Sequence, residues 1–366
     1  MELVITGTGL VSSLGRDPLL AVTAIRAGLS RPAELVDYPV LDSETQELIA
    51  PTGHPVRAFT EGFHLSARWL RLAIGAFESL LRQTGFEEET SAEFWGKTAI
   101  LLATPHVKGD RLQMQNADEK MMFDTMIPPM LAYLDLPLRK SRCATFPMSN
   151  SGAAHALVQA TGLLDAQMAD RVILIGVDSY LDGLSIEWLA THDRLKTPSR
   201  AVGFEPGEAA AAVLIETAEQ AERRSAPIMA QIAGVGTAEE AMHIYQDAVN
   251  RGIGLSEAVA AAYQQTQWEE PFSGLLINDL NGEEWRAKEL GSALLRLTDE
   301  VDPDAPLFVP AESLGDTGAA YGAIALAYAA LALANGFAGS DHVCVISSTD
   351  LGDTGAIFLS MYEPIS

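Results

Sequence analysis

Cysteine is scarce in this sequence, which has two, Cys143 and Cys344, among 366 residues. Two thiols so far apart in the chain do not make the dense framework of a disulfide-stabilised protein, and they are too few for a cysteine-based metal site. The seven histidines show no metal-ligand spacing either. No metal and no other cofactor is therefore expected.

Basic residues are also few. The chain has 24 Lys and Arg against 49 Asp and Glu, which gives a formal charge of −25. Such a charge repels a phosphate backbone, so nucleic acid is not expected as a partner. Two groups of basic residues form either a local basic patch or ordinary solvated surface. They are Arg139, Lys140 and Arg142, and then Arg194, Lys196 and Arg200.

The sequence lacks the features of a secreted or membrane protein. The opening MELVITGTGLVSSLG has neither a basic start nor the longer apolar core of a signal peptide, which predicts a cytoplasmic location. One run, residues 319–339, approaches the length of a membrane span. It is mostly Ala and Gly with no basic flank, so a helix buried on all sides is the better interpretation, and no membrane association is expected.

What the sequence does contain is an alternation of short apolar runs with segments of helical period, in a chain that is 48% hydrophobic. This pattern is typical of an α/β protein with buried sheets. The predicted strands are ELVIT, TAILLAT, RVILIGV, AAAVLIE, IMAQIAGVG, GLLIND, LFVPAE, HVCVISS and AIFLSM. The predicted helices include residues 65–83, 152–167 and 283–297.

A charged, helix-like segment at residues 218–227 separates two parts that each begin with a strand and a glycine-containing turn. The pattern predicts an N-terminal half, residues 1–217, and a C-terminal half, residues 226–366. Within the first half, residues 107–138 are rich in Met and acidic residues. That composition indicates an excursion from the core, either a cap or a dimer arm.

The hexapeptide LGDTGA occurs twice, at residues 314–319 and 351–356. Each copy follows an apolar strand, which is where open α/β sheets place ligand sites. The same residues are also typical of ordinary turns, since Gly permits positive φ and Asp and Thr bond to exposed amides. The copies continue differently, into a helix and a strand, which argues against a tandem repeat.

Six segments resemble, in the same order, the motifs of the β-ketoacyl synthase branch of the thiolase-like superfamily. They are VITGTGLVSSLG, SNSGAAHALVQATGLLDAQMADRVILIGVDS, GFEPGEAAAAVLIE, LINDLNGEEWRAKEL, ESLGDTGAAYGAIALAYAALAL and SSTDLGDTGAIFLSMYE. The resemblance spans nearly the whole chain. It implies a five-layer α-β-α-β-α arrangement of two similar halves.

The same resemblance implies where the catalytic residues should lie. The family's nucleophilic cysteine and its two histidines correspond to Ser149, Asn281 and Asp316, while Cys143 falls in the preceding strand. The family's oxyanion loop corresponds to Leu351, Gly352, Asp353 and Thr354. Because a thiolate and two imidazoles are replaced by a hydroxyl, an amide and a carboxylate, loss of decarboxylating condensation is expected.

Three hypotheses follow. The favoured one is a binding or assembly component, either a chain-length-factor-like partner of an active synthase or an accessory of a secretion system. The competing hypothesis is an acyltransferase or thioester hydrolase in which Ser149 is acylated and Asp316 or Asp353 is the base. The third is a small-ligand pocket without catalysis. The protein partner would be a synthase subunit, an acyl carrier or a secretion-associated protein, and the negative charge disfavours carrier docking, which in this family uses basic residues.

Neither His155 nor His106 is favoured as a base for Ser149. His155 lies six residues beyond Ser149, so the helical step of about 100° per residue should turn it away from Ser149. His106 follows a predicted strand, where a structural role is the more common one. The family also forms dimers through strands beside the nucleophile helix. The resemblance therefore implies a homodimer with residues 143–148 near its interface.

Overall fold

The computed structural model describes residues 1–42, 44–109, 111–112 and 118–363. Its strands are β1 (Leu3–Val11), β2 (Ala33–Glu34), β3 (Val40–Leu41), β4 (Leu48–Ile49), β5 (Thr52–Gly53), β6 (Thr98–Ala103), β7 (Cys143–Phe146), β8 (Arg171–Ser179), β9 (Glu208–Thr217), β10 (Ala230–Glu239), β11 (Leu275–Ile277), β12 (Leu307–Phe308), β13 (His342–Ser348) and β14 (Asp353–Ser360). Its α-helices are α1 (Pro18–Arg26), α2 (Leu65–Thr84), α3 (Ala92–Gly96), α4 (Glu119–Leu134), α5 (Gly152–Asp165), α6 (Gly183–Thr191), α7 (Ala218–Arg223), α8 (Ile253–Thr266), α9 (Glu284–Leu294), α10 (Ala311–Leu314) and α11 (Tyr321–Ala334). Every predicted strand segment overlaps one of these strands.

The large mixed sheet has an internal repeat of topology. Within the described residues its strand order is β12-β11-β13-β14-β10-β1-β9-β8-β6-β7. Read outward from the middle, each half runs through two antiparallel pairings and then two parallel ones. The halves join where β1 pairs antiparallel with β10, as at Leu3 and Ile232. The two similar halves predicted from the sequence are therefore present in the fold.

Helices complete the layers. On the outer faces, α2 packs against β1, β8 and β9, and α8 packs against β10 and β14. Between the two half-sheets, α5 and α11 each contact strands of both halves. The order is helix, sheet, helix, sheet, helix, which matches the predicted α/β arrangement.

The central helix α11 is buried from Tyr321 to Leu333. Its small residues allow the two middle helices to approach closely, because a Cβ at Gly322 would lie 2.6 Å from the Ala153 Cβ on α5. The Ala-rich run of residues 319–339 is thus a core helix, as predicted. In the described ranges, every helix is too short or too polar to cross a membrane.

The predicted excursion contains α4, which packs against α2 and β7 and buries Met122, Met126, Ile127 and Met130. Residues 110 and 113–117 of that excursion lie outside the described residues. Helix α7 stands between the two predicted domains. Their boundaries, at residues 217 and 226, stay a prediction.

The close approach of α5 and α11 predicts that Gly322→Ala lowers the free energy of unfolding by about 1–3 kcal/mol, because the new methyl group forces the helices apart. Gly291→Ala on α9 is the matched control, since a Cβ there meets nothing within 4 Å. That substitution should be neutral or stabilise by up to about 1 kcal/mol. Urea unfolding measures both. Equal stability of Gly322→Ala and the wild-type protein would contradict this packing.

Candidate functional site

Ser149 opens a short 3₁₀ turn, Ser149–Ser151, that leads directly into α5. Its φ of 44° is unusual for a residue with a side chain. The turn is held because the Ser149 amide donates to the Thr104 carbonyl at 3.1 Å. The Ser149 hydroxyl donates to Asn150 Oδ1 at 3.1 Å. The sequence thus identified the residue at the helix start, and the structure adds a strained backbone.

A small cavity, called the serine cavity here, adjoins Ser149. Its lining includes His106, Lys108, Trp188, Asp350 and Leu351, together with Arg111, Tyr180 and Tyr245. Its volume is about 40 Å³, enough for a few water molecules. A long acyl chain does not fit beside Ser149 in this conformation.

Asn281 and Asp316 lie together, but in a different cavity. Asn281 Nδ2 donates to Asp316 Oδ2 at 2.7 Å, and the Gly318 amide donates to Asp316 Oδ1 at 2.8 Å. Both residues line a second cavity, the carboxylate cavity, with Lys196 and Glu205 and a volume of about 460 Å³. Ser149 and Leu351 line the serine cavity instead. The four aligned positions therefore do not line one cavity.

Between the cavities stands Arg194. Its guanidinium donates to Glu283 Oε1 at 2.6 Å and Oε2 at 2.8 Å, and to Asp350 Oδ1 at 3.1 Å. It also lies 4.8 Å from the centre of the Trp188 ring. Trp188 and Asp350 line the serine cavity, while Glu283 accepts a hydrogen bond from Asn281 of the carboxylate cavity. The ion-paired arginine forms the wall between them.

A second buried arginine extends this wall. Arg286 Nη1 donates to Asp279 Oδ2 at 2.8 Å, and the Ser348 amide donates to the same oxygen at 2.9 Å. Asn150 Nδ2, next to Ser149, reaches that oxygen at 3.4 Å. Burial raises the pKa of Asp279 to about 6, although Arg286 opposes the shift.

Ionic pairing governs the charge of the other buried groups. Burial alone would raise the pKa of Asp350, but Arg194 outweighs it and lowers that pKa to about 2. Burial would likewise lower the pKa of Arg194, and its carboxylate partners raise it instead. The wall is therefore a charged network at neutral pH, where the family chemistry needs two neutral imidazoles.

The predicted oxyanion loop is pinned in place. Gly352 has a φ of 97°, and a Cβ there would lie 2.3 Å from the Glu240 carbonyl, so only glycine fits. Its amide and that of Asp353 donate to the carbonyl and the hydroxyl of Thr349 at 3.1 and 3.0 Å. Thr354 Oγ1 donates to the Ala238 carbonyl at 2.9 Å. Because these amides already have acceptors, they do not form an open oxyanion hole.

His106 and His155 both lie near Asp353. His106 Nε2 is 3.6 Å from Asp353 Oδ2, too long for a hydrogen bond but close enough for an ion pair. Burial lowers the pKa of both histidines, and Asp353 acts in the opposite direction. His106 lines the serine cavity with Ser149. His106, for which a structural role was expected, thus lines the same cavity as the predicted nucleophile.

Several residues of the site escaped the sequence analysis. Arg194 was grouped with basic residues that form either a patch or solvated surface, yet it is only 7% exposed. Asp279, Glu283, Arg286 and Asp350 were not singled out. The available signal was their position, since each lies within or beside one of the family-like segments. In the described part of the chain, no three His, Cys, Asp or Glu side chains form a group that could hold a metal ion.

Comparisons with known proteins place this fold. A β-ketoacyl synthase from Burkholderia phymatum superimposes with a TM-score of 0.75 at 15% identity, covering 99% of this chain and 100% of that one. A type II PKS acyl-carrier protein in complex with its ketosynthase bound to the hexaketide gives 0.78 at 15% identity, with 99% of each chain covered. The ishigamide ketosynthase/chain length factor gives 0.75 at 16% identity, again with 99% of each chain covered.

A sequence relative agrees with the structural comparisons. The mitochondrial 3-oxoacyl-[acyl-carrier-protein] synthase of Arabidopsis thaliana is 30% identical over 141 residues, which cover 35% of this chain and 29% of that protein. No family model matches the chain. The chain has the thiolase-like fold of the β-ketoacyl synthases, as the resemblance implied.

The wall predicts that Arg194→Met destabilises the protein by about 3–5 kcal/mol, because two buried carboxylates lose their partner. Arg223→Met is the matched control, since Arg223 is exposed and pairs with Glu219 within α7. It should change the free energy of unfolding by less than about 0.5 kcal/mol. Urea unfolding of both variants measures the difference. An Arg194→Met variant as stable as the wild-type protein would show that the buried network does not hold the site together.

Proposed function

We propose that this chain is a β-ketoacyl synthase-like protein that does not catalyse condensation and acts as a binding or assembly partner. The observation that carries the proposal is the division of the site. Ser149 lies in one cavity and the Asn281–Asp316 pair in another, with the paired Arg194 between them. A condensing reaction needs the nucleophile and two neutral imidazoles around one substrate.

A partner role agrees with what the structural neighbours do. One neighbour is a ketosynthase/chain length factor, and another is an acyl-carrier protein in complex with its ketosynthase. We therefore infer a protein partner for this chain, either a synthase subunit, an acyl carrier or a secretion-associated protein. The charge of −25 favours the partner without a strongly anionic surface. The cytoplasmic location stays a prediction.

A second candidate function is acyl transfer or thioester hydrolysis at Ser149. The observation that favours it is the φ of 44° at this residue. Such strain in a non-glycine residue is concentrated at functional sites, where surrounding structure holds it. Of the two carboxylates suggested as bases, Asp316 lines the other cavity, whereas Asp353 lies beside His106.

We also propose that the chain forms a homodimer through β7 and the exposed side of α5. In the sheet formed by the described residues, β7 is the last strand and has β6 on one side only. Next to it, α5 exposes Val158, Gln159 and Gly162. An unpaired strand edge beside an exposed helix face suits the addition of a second copy.

Incubation with malonyl and acyl thioesters tests the loss of condensation. The wild-type protein should release no carbon dioxide and form no 3-oxoacyl product, because no imidazole pair faces Ser149. Ser149→Cys should also form no 3-oxoacyl product, since a thiolate alone does not supply the two imidazoles. Mass spectrometry of the products measures this, with Ser149→Ala as control. A 3-oxoacyl product from the wild-type protein that Ser149→Ala fails to make would overturn the proposal.

Light scattering after size exclusion tests the dimer. The wild-type protein should have the mass of two chains at micromolar concentration. Val158→Asp should yield the mass of one chain, because a carboxylate at this 46% exposed position would be buried at the interface. Val202→Asp, at a 58% exposed position elsewhere, should remain dimeric. A monomeric wild-type protein would rule out the dimer, and a dimeric Val158→Asp would place the interface on another face.

A further inference from the structure

Next to the serine cavity lies a larger one, the outer cavity, with a volume of about 690 Å³. His106, Lys108 and Leu351 line both cavities, and Met148 and Asp353 line the outer one. The two cavities meet at these shared residues. Among the described residues that line the outer cavity, neither Trp188 nor Arg194 appears, so an approach to Ser149 from this side does not cross the arginine wall.

Reactive side chains lie where the two cavities meet. His106 is a largely buried imidazole whose Nε2 has no hydrogen-bond partner among the described residues, with Asp353 at 3.6 Å. Lys108 is exposed and stands beside it. Ser149 faces the same 40 Å³ of space from the start of α5. A hydroxyl, an imidazole with a carboxylate neighbour, and an ammonium group thus meet in one small cavity.

We propose that Ser149, His106 and Lys108 form a reactive set that accepts a short acyl group from a thioester whose thiol portion lies in the outer cavity. This inference rests on the second candidate function, acyl transfer at Ser149. None of the three side chains corresponds to the family's two histidines, and His106 and Lys108 come from the loop after β6.

Each group has a role that its chemistry permits. The Ser149 hydroxyl, which donates to Asn150 Oδ1 in this conformation, must turn to His106. His106 then takes its proton while the serine oxygen bonds to the carbonyl carbon, and Lys108 stabilises the charge that develops on the carbonyl oxygen. The carbon–sulfur bond then breaks, and His106 returns the proton to the departing thiolate. Attack by water on the acyl-serine, with the same proton transfers, releases the acid and restores the hydroxyl.

The surroundings of His106 suit a base. Burial lowers its pKa, while the carboxylates of Asp353, Asp350 and Asp178 oppose that shift. The imidazole is therefore largely neutral at pH 7, which a base requires. Lys108 takes the place of the backbone amides, because those of Ser149, Gly352 and Asp353 already donate to protein oxygens.

The size of the serine cavity sets the acyl length. A volume of about 40 Å³ accommodates a few heavy atoms, so an acetyl group fits and an octanoyl chain does not. Thiol portions of different length remain compatible, since the outer cavity is far larger.

The experiment uses acetyl and octanoyl thioesters of N-acetylcysteamine with the full-length protein, following thiol release and intact mass. The wild-type protein should react with the acetyl thioester at least about tenfold faster than with the octanoyl one, and Ser149→Ala should not react. His106→Gln should slow the reaction by about 100-fold or more, the usual contribution of a general base. His155→Gln is the matched control, because His155 is a half-buried histidine that also lies near Asp353, and it should stay within about twofold of the wild-type rate.

The pH profile keeps the test decisive even where a variant fails to fold. The wild-type rate should rise with pH as one group with a pKa below that of ordinary histidine loses its proton. Lys108→Met should lower the maximal rate without moving this profile. If Ser149 is acylated at equal rates in the wild-type protein and His106→Gln, the role of His106 is wrong while the second candidate function stands. If the wild-type protein forms no adduct and releases no thiol, the reactive set and the second candidate function are both wrong. The proposed loss of condensation is unaffected by that result.

Discussion

The ion pairs of Arg194 are the constraint on which the rest of the site depends. One guanidinium joins the loop after β11, through Glu283, to the turn before β14, through Asp350. Both carboxylates are largely removed from water, and an unpaired charge in such a buried position would be costly. Moving Arg194 away would leave Glu283 and Asp350 without this cation, so the arginine is held in place. While it lies between them, the site remains divided into two cavities.

The buried carboxylates of the site and its two buried arginines depend on each other. Imidazoles can be neutral in a buried pocket, whereas the carboxylates of Asp279, Glu283 and Asp350 need cations when ionised. Arg194 and Arg286 supply them. Ser149→Cys alone would therefore leave the charges and hydrogen bonds of this arginine network unchanged.

Much of the fold could be predicted from the sequence. Apolar runs such as those of β6 and β8 are buried on both faces, so their composition indicates strands directly. The start of α5 was also predicted, because the resemblance to the family placed Ser149 at the beginning of this helix. The strand β7 follows from the same resemblance, with Cys143 as its first residue.

The site could be predicted only in part, because its main contacts join residues distant in the chain. Asn281 and Asp316 are 35 positions apart, and the structure brings their side chains into contact. Arg194 and Asp350 are 156 positions apart, and no local pattern pairs them. His106 follows a strand in a loop, a position that favours a structural role until the fold brings Asp353 beside it. Which cavity each side chain faces depends on packing that periodicity does not encode.

The most direct measurement is a crystal structure of the protein soaked with an acyl thioester. The account predicts that Arg194 lies between Glu283 and Asp350, and that no ligand density joins Ser149 to Asn281 and Asp316. A thioester bound continuously between Ser149 and the Asn281–Asp316 pair, with Arg194 displaced, would contradict it.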